Sequence, residues 1–538
     1  MCYLFCLLYV TQRISPERLD SSNETKRQSR RNPNVMALFP LQHQEEVIER
    51  RSPAPFPIDH CGHRLLIRGL ELNVEDPFEP LFLSMALYDA RERRKLSENF
   101  HFDFNGDNLG KMIRLHTPYR DESTLSKAAV FSITHPTNDL YIVVRLEKVL
   151  QPCDITEAAD PYTREDKNRD KTRATAAEYC ERLGAYRMPL GWAMIELCKV
   201  LSKVPAGNDR TEISATTSII GSAVAESFYA GSDTESVLSV DRQSTVSSGS
   251  FRRVGSGSYP QKLVPKPGAM QTTVGKYGRT PEDLISQSLK DRSVTITTDC
   301  FFKQESDKIS EEDLLKCLGE SRKTSSSLGK RLKCIPVELK LEASLCPEDL
   351  QNRLNPELLR LHPFVNGATQ ELTKELVEFP LRQVYAPNCS YRNLLYVYPK
   401  FVTFASRPGS ARNIAVKVEL MKGHDGALQN IFGKSSCPEF SNAAYTSVLY
   451  HNKSPQFYDE IKAKLPLDFK DDHHLLFTFY HVSCKLKPSE TGSVETPVGY
   501  TWIPLYREGR LVTGEFQLPI SLDVLPQNYY YLSPEVRF

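Results

Sequence analysis

The sequence contains no C-x-x-C pair among its 13 cysteines, although a zinc module or a secreted disulfide framework depends on such closely spaced cysteines. It also lacks an excess of charge of either sign, because 68 Lys and Arg residues face 67 Asp and Glu residues, for a net charge of +1. Bulk charge therefore cannot hold this chain to a polyanion, and any affinity for an anionic surface must come from a local patch. We expect reduced thiols, a cytoplasmic protein and no nucleic-acid partner.

Long apolar runs are missing as well. The apolar stretch at residues 1–10 is too short to span a bilayer, and it lacks the basic region and the small-residue cleavage site of a signal peptide. A weak signal anchor is one interpretation of this stretch. We favour a truncated or misassigned start, leave it out of the fold, and expect residues 1–40 to be a disordered or misassigned N-terminus.

Motifs for catalysis and metal binding are scarce. The Gly-Lys-Ser motif at 433–435 lacks the earlier glycine that a phosphate loop needs, since position 428 is Leu, and it predicts an inter-strand loop with an exposed lysine. The His-Cys-Gly-His motif at 60–63 has no second ligand pair at zinc spacing, and the Asp-Asp-His-His motif at 471–474 favours a polar turn. We predict no catalytic residue, no metal site and no cofactor.

The N-terminal third of the chain shows a β pattern. Runs of β-branched and aromatic residues are separated by turn signals such as the Asn-Gly-Asp motif at 105–107. A charged segment at 164–182 carries alanines at near-helical spacing and predicts one helix that ends at Gly184. We expect residues 41–204 to form a β-rich domain with flanking helices, and its predicted strands are 64–72, 81–90, 98–104, 129–134 and 140–150.

Ser, Thr and Gly dominate residues 205–279. Such a segment buries too little apolar surface to offset the entropy lost on ordering, so it predicts a disordered linker that divides the protein in two. Within it, Arg252 and Arg253 precede Ser256 in a pattern that basic-directed kinases accept, which makes Ser256 a candidate phosphorylation site. Thr280 and Ser310 then resemble helix N-caps, and residues 280–384 are predicted to be a helical packing segment around one strand at 293–298.

The β pattern returns more strongly in the last 150 residues, without a long helix between the strands. Val416, Val418 and Leu420 alternate with Lys417 and Glu419, as one buried face requires. This arrangement indicates an antiparallel β-sandwich over residues 385–538 and a mainly β fold class for the chain. The predicted strands are 393–404, 413–421, 444–451, 460–466, 474–484, 498–505 and 514–520.

Charge is unevenly distributed within this sandwich. Residues 388–464 contain ten bases and five acids, whereas residues 465–538 contain six bases and nine acids. If the loops at 406–412 and 451–455 meet at one end of the sandwich, Arg407, Arg412 and Lys453 would converge on a phosphorylated lipid head group. Each base near an anionic membrane surface contributes about 1 kcal/mol. Ordinary solvated surface charge is the alternative, because a few units of net charge are usual for a soluble domain.

Several long segments resemble the dedicator-of-cytokinesis (DOCK) family. Residues 391–421, 431–466, 473–484 and 497–505 resemble its first DOCK homology region, most closely in the subgroup that acts on Rac and Cdc42. The earlier segments ALYDARERRKLSENFHFDF, ITHPTNDLYIVVRLEKVLQ and ERLGAYRMPLGWA resemble the N-terminal region of the same subgroup. The resemblance covers roughly residues 40–200 and 295–538.

The resemblance implies a C2-type sandwich that docks on phosphoinositides without calcium. In lipid-binding members, bases in the upper loops hold the head group, and here the first loop offers Arg407 and Arg412 but no Asp for a calcium cradle. The family also implies nucleotide exchange on Rho-type GTPases, carried by a second homology region downstream of Phe538. We therefore expect a non-enzymatic targeting and regulatory portion of an exchange factor, recruited peripherally to membrane. A protein-binding scaffold without lipid affinity is the alternative.

Overall fold

The computed structural model of the chain describes residues 2–9, 15–30, 62–163, 168–205, 210–215, 278–322, 332–361, 371–380, 392–406, 411–423, 426–485 and 493–532. Ser256, Arg407 and most of the predicted linker lie outside these residues. No helix in the described part is long and apolar enough to cross a membrane.

Strands outnumber helices in the described residues. The helices are α1 (Pro16–Arg30), α2 (Asp107–Met112), α3 (Asp160–Thr163), α4 (Arg169–Leu183), α5 (Leu197–Leu201), α6 (Pro281–Leu289) and α7 (Glu311–Ser321). The strands are β1 (Cys2–Tyr9), β2 (His63–Val74), β3 (Leu81–Asp89), β4 (Arg94–Lys95), β5 (Phe100–Phe102), β6 (Ala128–Ile133), β7 (Leu140–Val149), β8 (Arg187–Glu196), β9 (Arg210–Ser214), β10 (Ser293–Thr298), β11 (Phe301–Lys303), β12 (Cys334–Ile335), β13 (Val337–Leu345), β14 (Arg353–Leu354), β15 (Thr373–Glu375), β16 (Arg392–Pro399), β17 (Ile414–Lys422), β18 (Ile431–Phe432), β19 (Phe440–Ser441), β20 (Ala444–Tyr445), β21 (Ile461–Lys464), β22 (His473–Val482), β23 (Glu495–Pro504), β24 (Tyr506–Arg507), β25 (Arg510–Leu511) and β26 (Gly514–Phe516).

The N-terminal unit, meaning the described residues between 62 and 380, is built from two sheets. One has the strand order β14-β15-β6-β2-β13-β10-β9, and the other has the order β12-β11-β8-β7-β3-β4 with β5 paired to β3. Every residue of β3 is buried, so this strand does not alternate between a buried and an exposed face. Side chains from both sheets meet in one apolar core, including Ile67, Phe131, Met85 and Val144.

The predicted linker interrupts this unit and does not divide the protein. Strand β9 falls inside the predicted linker and pairs in parallel with β10. Strand β13 pairs with β2, and β11 pairs with β8, so strands from both sides of the linker share both sheets. Residues 280–384 thus differ from the expected helical packing segment, because they supply β10 to β15. The alternation of Val337, Leu339 and Leu341 with charged residues is the signal that predicts β13.

The two predicted helix caps in this segment are confirmed. The Thr280 hydroxyl accepts a hydrogen bond from the N–H of Asp283 at 3.1 Å. The Ser310 hydroxyl accepts one from the N–H of Asp313 at 3.2 Å. Each bond satisfies a backbone donor that the first helical turn leaves without a partner.

The C-terminal sandwich, meaning β1 and the described residues from 392 to 532, is antiparallel. One sheet has the order β19-β18-β21-β16-β1-β26 and the other the order β20-β17-β22-β23, with β24 and β25 as a separate ribbon. Its core includes Val397, Val416, Val418 and Phe477. The predicted strand 444–451 is a strand only over β20, because Val448 leaves the sheet and is buried in the core of the N-terminal unit.

The structure includes the N-terminal stretch that we left out of the fold. Strand β1 pairs with β16 along its whole length, from Cys2 opposite Pro399 to Tyr9 opposite Arg392, and its first residues also pair with β26. A short apolar run that cannot span a bilayer is equally suited to a β-strand. Helix α1 follows, within the region expected to be a disordered or misassigned N-terminus.

One cysteine pair departs from the expectation of reduced thiols. Cys300 and Cys334 are joined in a disulfide with their Cα atoms 5.4 Å apart. The pairing of β11 with β12 brings them together although they are 34 residues apart in sequence. Burial raises the pKa of the Cys180, Cys198 and Cys484 thiols to about 12, which keeps them protonated and unreactive at neutral pH.

Candidate ligand-binding loops and the interface behind them

The chain that leads into the first predicted base-bearing loop lies beside the second predicted loop, 451–455, at one end of the C-terminal sandwich. The N–H of Val402 donates to the carbonyl oxygen of Pro455 at 3.2 Å, and the N–H of Phe404 donates to that of Lys453 at 2.9 Å. The hydroxyls of Thr403 and Ser454 are 2.7 Å apart. The chain after β16 is therefore held against the chain that leads into β21.

A buried asparagine joins the far end of the first loop to the same place. Asn413 has a φ of 54°, a backbone conformation that asparagine tolerates better than most residues. Its Oδ1 accepts a hydrogen bond from the N–H of His451 at 2.7 Å, and its Nδ2 donates to the carbonyl of Val482 at 2.9 Å. The carbonyl of the adjacent Arg412 also contacts the ring of His481.

The two described bases at this end of the sandwich differ in how exposed they are to solvent. Arg412 is exposed and Lys453 is half-buried, and neither forms an ion pair with a carboxylate of the described residues. Between them along the chain, Asn452 donates to Asp307 of the N-terminal unit at 2.9 Å. This contact brings one carboxylate of the N-terminal unit to the same end of the sandwich. The third predicted base, Arg407, lies outside the described residues.

The polar turn predicted at 471–474 is only half right. His473 and His474 open β22 and are fully buried. The Nε2 of His474 is 2.7 Å from the hydroxyl of Tyr529, and its ring stacks on Tyr530. Burial lowers the pKa of His474, so its neutral form is favoured. The part of the chain that the structure describes contains no group of three or more metal-ligating side chains placed to hold a metal ion.

The Gly-Lys-Ser motif belongs to an interface with the N-terminal unit. A Cβ on Gly433 would lie 1.8 Å from the carbonyl oxygen of Pro438, so the turn has no room for a side chain. The N–H of Ser436 donates to the carbonyl of Thr124 at 3.1 Å, and its hydroxyl donates to Asp103 at 2.7 Å. Lys434 was predicted to be exposed, but it is half-buried and pairs at 3.3 Å with the buried Asp459.

Two buried carboxylates connect the sandwich to the N-terminal unit. Glu98 of the N-terminal unit accepts hydrogen bonds from the hydroxyl of Tyr396 at 2.5 Å and from Lys462 at 3.0 Å. Burial, together with the Glu98 carboxylate, raises the pKa of Tyr396. The Tyr396 hydroxyl therefore stays protonated and donates.

The second carboxylate belongs to the sandwich and binds groups of the N-terminal unit. Glu460 of the sandwich accepts hydrogen bonds from Lys95 at 2.8 Å, from the N–H of Asn99 at 2.7 Å and from the hydroxyl of Tyr398 at 2.7 Å. The Lys95 and Glu460 side chains are 11% and 3% exposed. A charged pair this deeply buried persists only when further hydrogen bonds satisfy its polar atoms, as they do here.

Apolar and aromatic contacts extend the same interface. Ala415, Val448, Val482 and Cys484 of the sandwich are part of the core of the N-terminal unit. Tyr458 donates to Glu147 at 2.6 Å. One face of the sandwich is therefore covered. The sequence pattern did not predict this, because the pattern of each strand specifies a buried face but not the element that covers it.

Comparison with known proteins agrees with this architecture. Residues 388–537 match the family described as the C2 domain in Dock180 and Zizimin proteins. Dedicator of cytokinesis protein 7 of Mus musculus is 43% identical over 537 residues, which cover 97% of this chain. Dedicator of cytokinesis protein 6 of Mus musculus is 42% identical over 98% of the chain, and protein 8 of Homo sapiens is 40% identical over 97%. The chain belongs to the DOCK family.

The family match covers the sandwich and the full-length similarity covers nearly all of the chain. The chain spans 23% of the length of each of these three relatives and corresponds to their N-terminal part. The recognised C2 range, 388–537, agrees closely with the sandwich predicted at 385–538. Within this DOCK-type chain, the sequence predicted the loop bases, whereas it missed the interface residues Glu98, Glu460 and Tyr396.

Proposed function

We propose that this chain is the membrane-recruiting and regulatory portion of a DOCK-type exchange factor. Its C2-type sandwich docks on phosphoinositides without calcium, and Arg407, Arg412 and Lys453 bind the phosphorylated head group. Nucleotide exchange on a Rho-family GTPase of the Rac and Cdc42 type belongs to other parts of the parent protein. The protein acts in the cytoplasm and is recruited peripherally to membrane, and Ser256 is a candidate site for regulation of that recruitment by phosphorylation.

The observation that carries the proposal is that the chain on both sides of the first base-bearing loop is hydrogen-bonded to the segment that carries Lys453. The N–H of Phe404 donates to the carbonyl of Lys453, and Asn413, next to Arg412, accepts from the N–H of His451. Groups held in place in advance lose little conformational entropy when a ligand binds. Membrane association of this kind depends on the number of bases near the surface, because each contributes about 1 kcal/mol.

The test is vesicle sedimentation with the whole chain, because one face of the sandwich is covered by the N-terminal unit. Vesicles of phosphatidylcholine with and without a phosphoinositide, in calcium or in EGTA, are compared for the native chain and for the triple variant Arg407→Ala, Arg412→Ala, Lys453→Ala. We expect phosphoinositide-dependent binding that is equal in calcium and EGTA, and about a 100-fold loss in the triple variant, by the contribution of about 1 kcal/mol per base.

A control variant removes two bases elsewhere on the sandwich. Lys422 is the last residue of β17 and Lys470 lies just before β22, at the opposite end from Arg412. Replacing both by Ala is expected to leave vesicle binding within about threefold, a fraction of what each base contributes at the membrane surface. Equal losses in the two variants, or binding that ignores phosphoinositide content, would overturn the lipid proposal and favour a protein-binding scaffold.

A further inference from the structure

A groove of about 390 Å³ opens where the N-terminal unit meets the C-terminal sandwich. Its apolar lining includes Leu315 of α7 and Phe379 from the N-terminal unit, and Tyr398 and Phe457 from the sandwich. A volume of this size accommodates a large side chain with its neighbouring backbone, and apolar clefts at domain interfaces are common binding sites. The hydroxyl of Tyr398 is already bonded to Glu460, so the groove presents the aromatic ring.

The carboxylates along this groove are already neutralised. Glu311 pairs with Arg145 at 3.1 Å. Asp459 pairs with Lys434 at 3.3 Å and accepts a hydrogen bond from the Ser447 hydroxyl at 2.8 Å. The groove therefore offers no free negative charge to a cationic ligand.

The rim of the groove carries uncompensated positive charge. Arg93 lies in the turn between β3 and β4, and Arg94 is the first residue of β4. Neither forms an ion pair with a carboxylate of the described residues. Within the described residues, the Arg94 guanidinium donates to the carbonyl of Pro380 at 3.2 Å. Both guanidinium groups can thus form two-pronged hydrogen bonds with a carboxylate of a ligand.

The backbone holds one of these arginines in an unusual conformation. Arg93 has a φ of 49°, in the left-handed region that glycine and asparagine occupy more easily. The hairpin is fixed by Asp89, whose side chain accepts hydrogen bonds from the N–H groups of Arg91 and Glu92 at 2.8 and 2.9 Å. Arg93 is exposed, so packing of its side chain does not explain why an arginine occupies a strained position at the rim.

We propose that this groove binds an acidic peptide of a partner protein. An aromatic or large aliphatic side chain of the peptide enters the apolar part, and carboxylates beside it pair with Arg93 and Arg94. The groove is recessed between two folded units, where a side chain can enter but a flat bilayer cannot. Since both units line the groove, a bound peptide also strengthens their contact with each other.

The test uses fluorescence anisotropy with the whole chain and a fluorescein-labelled peptide that has a central Trp flanked by two Glu residues on each side. We expect saturable binding that weakens as salt is raised, because the pairs at the rim are exposed to solvent. The double variant Arg93→Gln, Arg94→Gln is expected to weaken binding at least fivefold. Arg91→Gln removes one exposed charge from the same hairpin outside the groove and is expected to change binding less than twofold.

Further measurements distinguish an acidic peptide from other ligands that the groove could bind. Peptides with Ala in place of Trp, or Gln in place of Glu, are expected to lose binding, and phosphoinositide vesicles are expected not to displace the labelled peptide. Equal binding by the double variant or by the Gln peptide would overturn the proposal. Binding that appears only after residues 216–277 are deleted would also overturn it, because the chain itself would then be the occupant. Arg93 and Arg94 are not among the proposed lipid-binding residues, so either proposal can fail alone.

Discussion

The interface between the N-terminal unit and the sandwich depends on a buried carboxylate, and removing it is a severe perturbation. In Glu460→Ala, the ammonium of Lys95 loses its counter-ion inside the interface, and the Asn99 N–H and the Tyr398 hydroxyl lose their acceptor. Removing one partner of a buried ion pair costs about 3–5 kcal/mol. Each polar group left without a partner costs about 1–3 kcal/mol. We expect the free energy of unfolding to fall by at least 3 kcal/mol, the lower end of this range.

The two tryptophans of the chain make this loss measurable in each unit separately. Trp192 lies in β8 of the N-terminal unit and Trp502 lies in β23 of the sandwich. Single-tryptophan chains, Trp192→Phe and Trp502→Phe, report urea unfolding of one unit at a time. With Glu460 present we expect the two transitions to coincide, since the units share a core. In Glu460→Ala we expect both to move to lower urea and to separate.

Two further variants decide whether the buried pair is the cause. The double variant Lys95→Met, Glu460→Leu removes both charges together and is expected to recover the part of the loss that comes from the unpaired Lys95 charge, because an apolar pair of similar size replaces a buried ion pair at little cost. The Asn99 N–H and the Tyr398 hydroxyl still lack an acceptor, so the recovery is partial. Glu342→Ala breaks the more exposed pair with Arg68, 3.3 Å apart, and is expected to cost about 1 kcal/mol or less. A loss below about 1 kcal/mol in Glu460→Ala, or no recovery in the double variant, would refute the reasoning.

Three other substitutions, one of them with a control, test separate features of the fold. Gly433→Ala would place a Cβ 1.8 Å from a backbone oxygen, and we expect it to lower the free energy of unfolding by about 1–3 kcal/mol, measured by thermal unfolding. Gly319→Ala is the control: Gly319 lies in α7 with open space around it, so alanine is expected to stabilise the chain. Burial and the nearby Lys462 lower the pKa of Lys374 to about 8, so Lys374→Met is expected to stabilise the chain by about 1–3 kcal/mol at pH 7. That gain in stability should shrink as pH rises from 8 towards 10.5, because Lys374 then loses its proton in the folded state and no buried charge remains to be removed. An equal gain at pH 7 and at pH 9.5 would contradict this prediction. The folded state binds a proton at His474 more weakly than the unfolded state does, so the stability of the chain falls as pH drops below 6.5. His474→Gln should therefore flatten the dependence of Tm on pH between 7.5 and 5.5. An unchanged slope would count against a buried neutral histidine.

Local sequence signals predicted much of the secondary structure, whereas the role of the loop bases Arg412 and Lys453 stays a prediction. The caps at Thr280 and Ser310 lie as predicted, because a side-chain bond to an N–H three residues away involves only neighbouring residues. Strand β8 was missed because Pro189 and Gly191 interrupt its pattern; the pairing with β7 shifts register at this point, and Gly191 lies against the backbone of Phe302.

The sequence by itself determined that the chain is mainly β, where most strands and two helices begin, and to which family it belongs. These properties depend on the period of apolar residues and on short motifs, which any stretch of chain carries with it. Only the tertiary structure decided that strands on both sides of the linker share two sheets, that β1 joins the C-terminal sandwich, and that Glu98 and Glu460 are buried. Strand partners and the burial of a charged side chain depend on what packs against them from distant parts of the chain. A glutamate at an interface has the same local sequence pattern as one in water, so its environment is fixed only when the units meet.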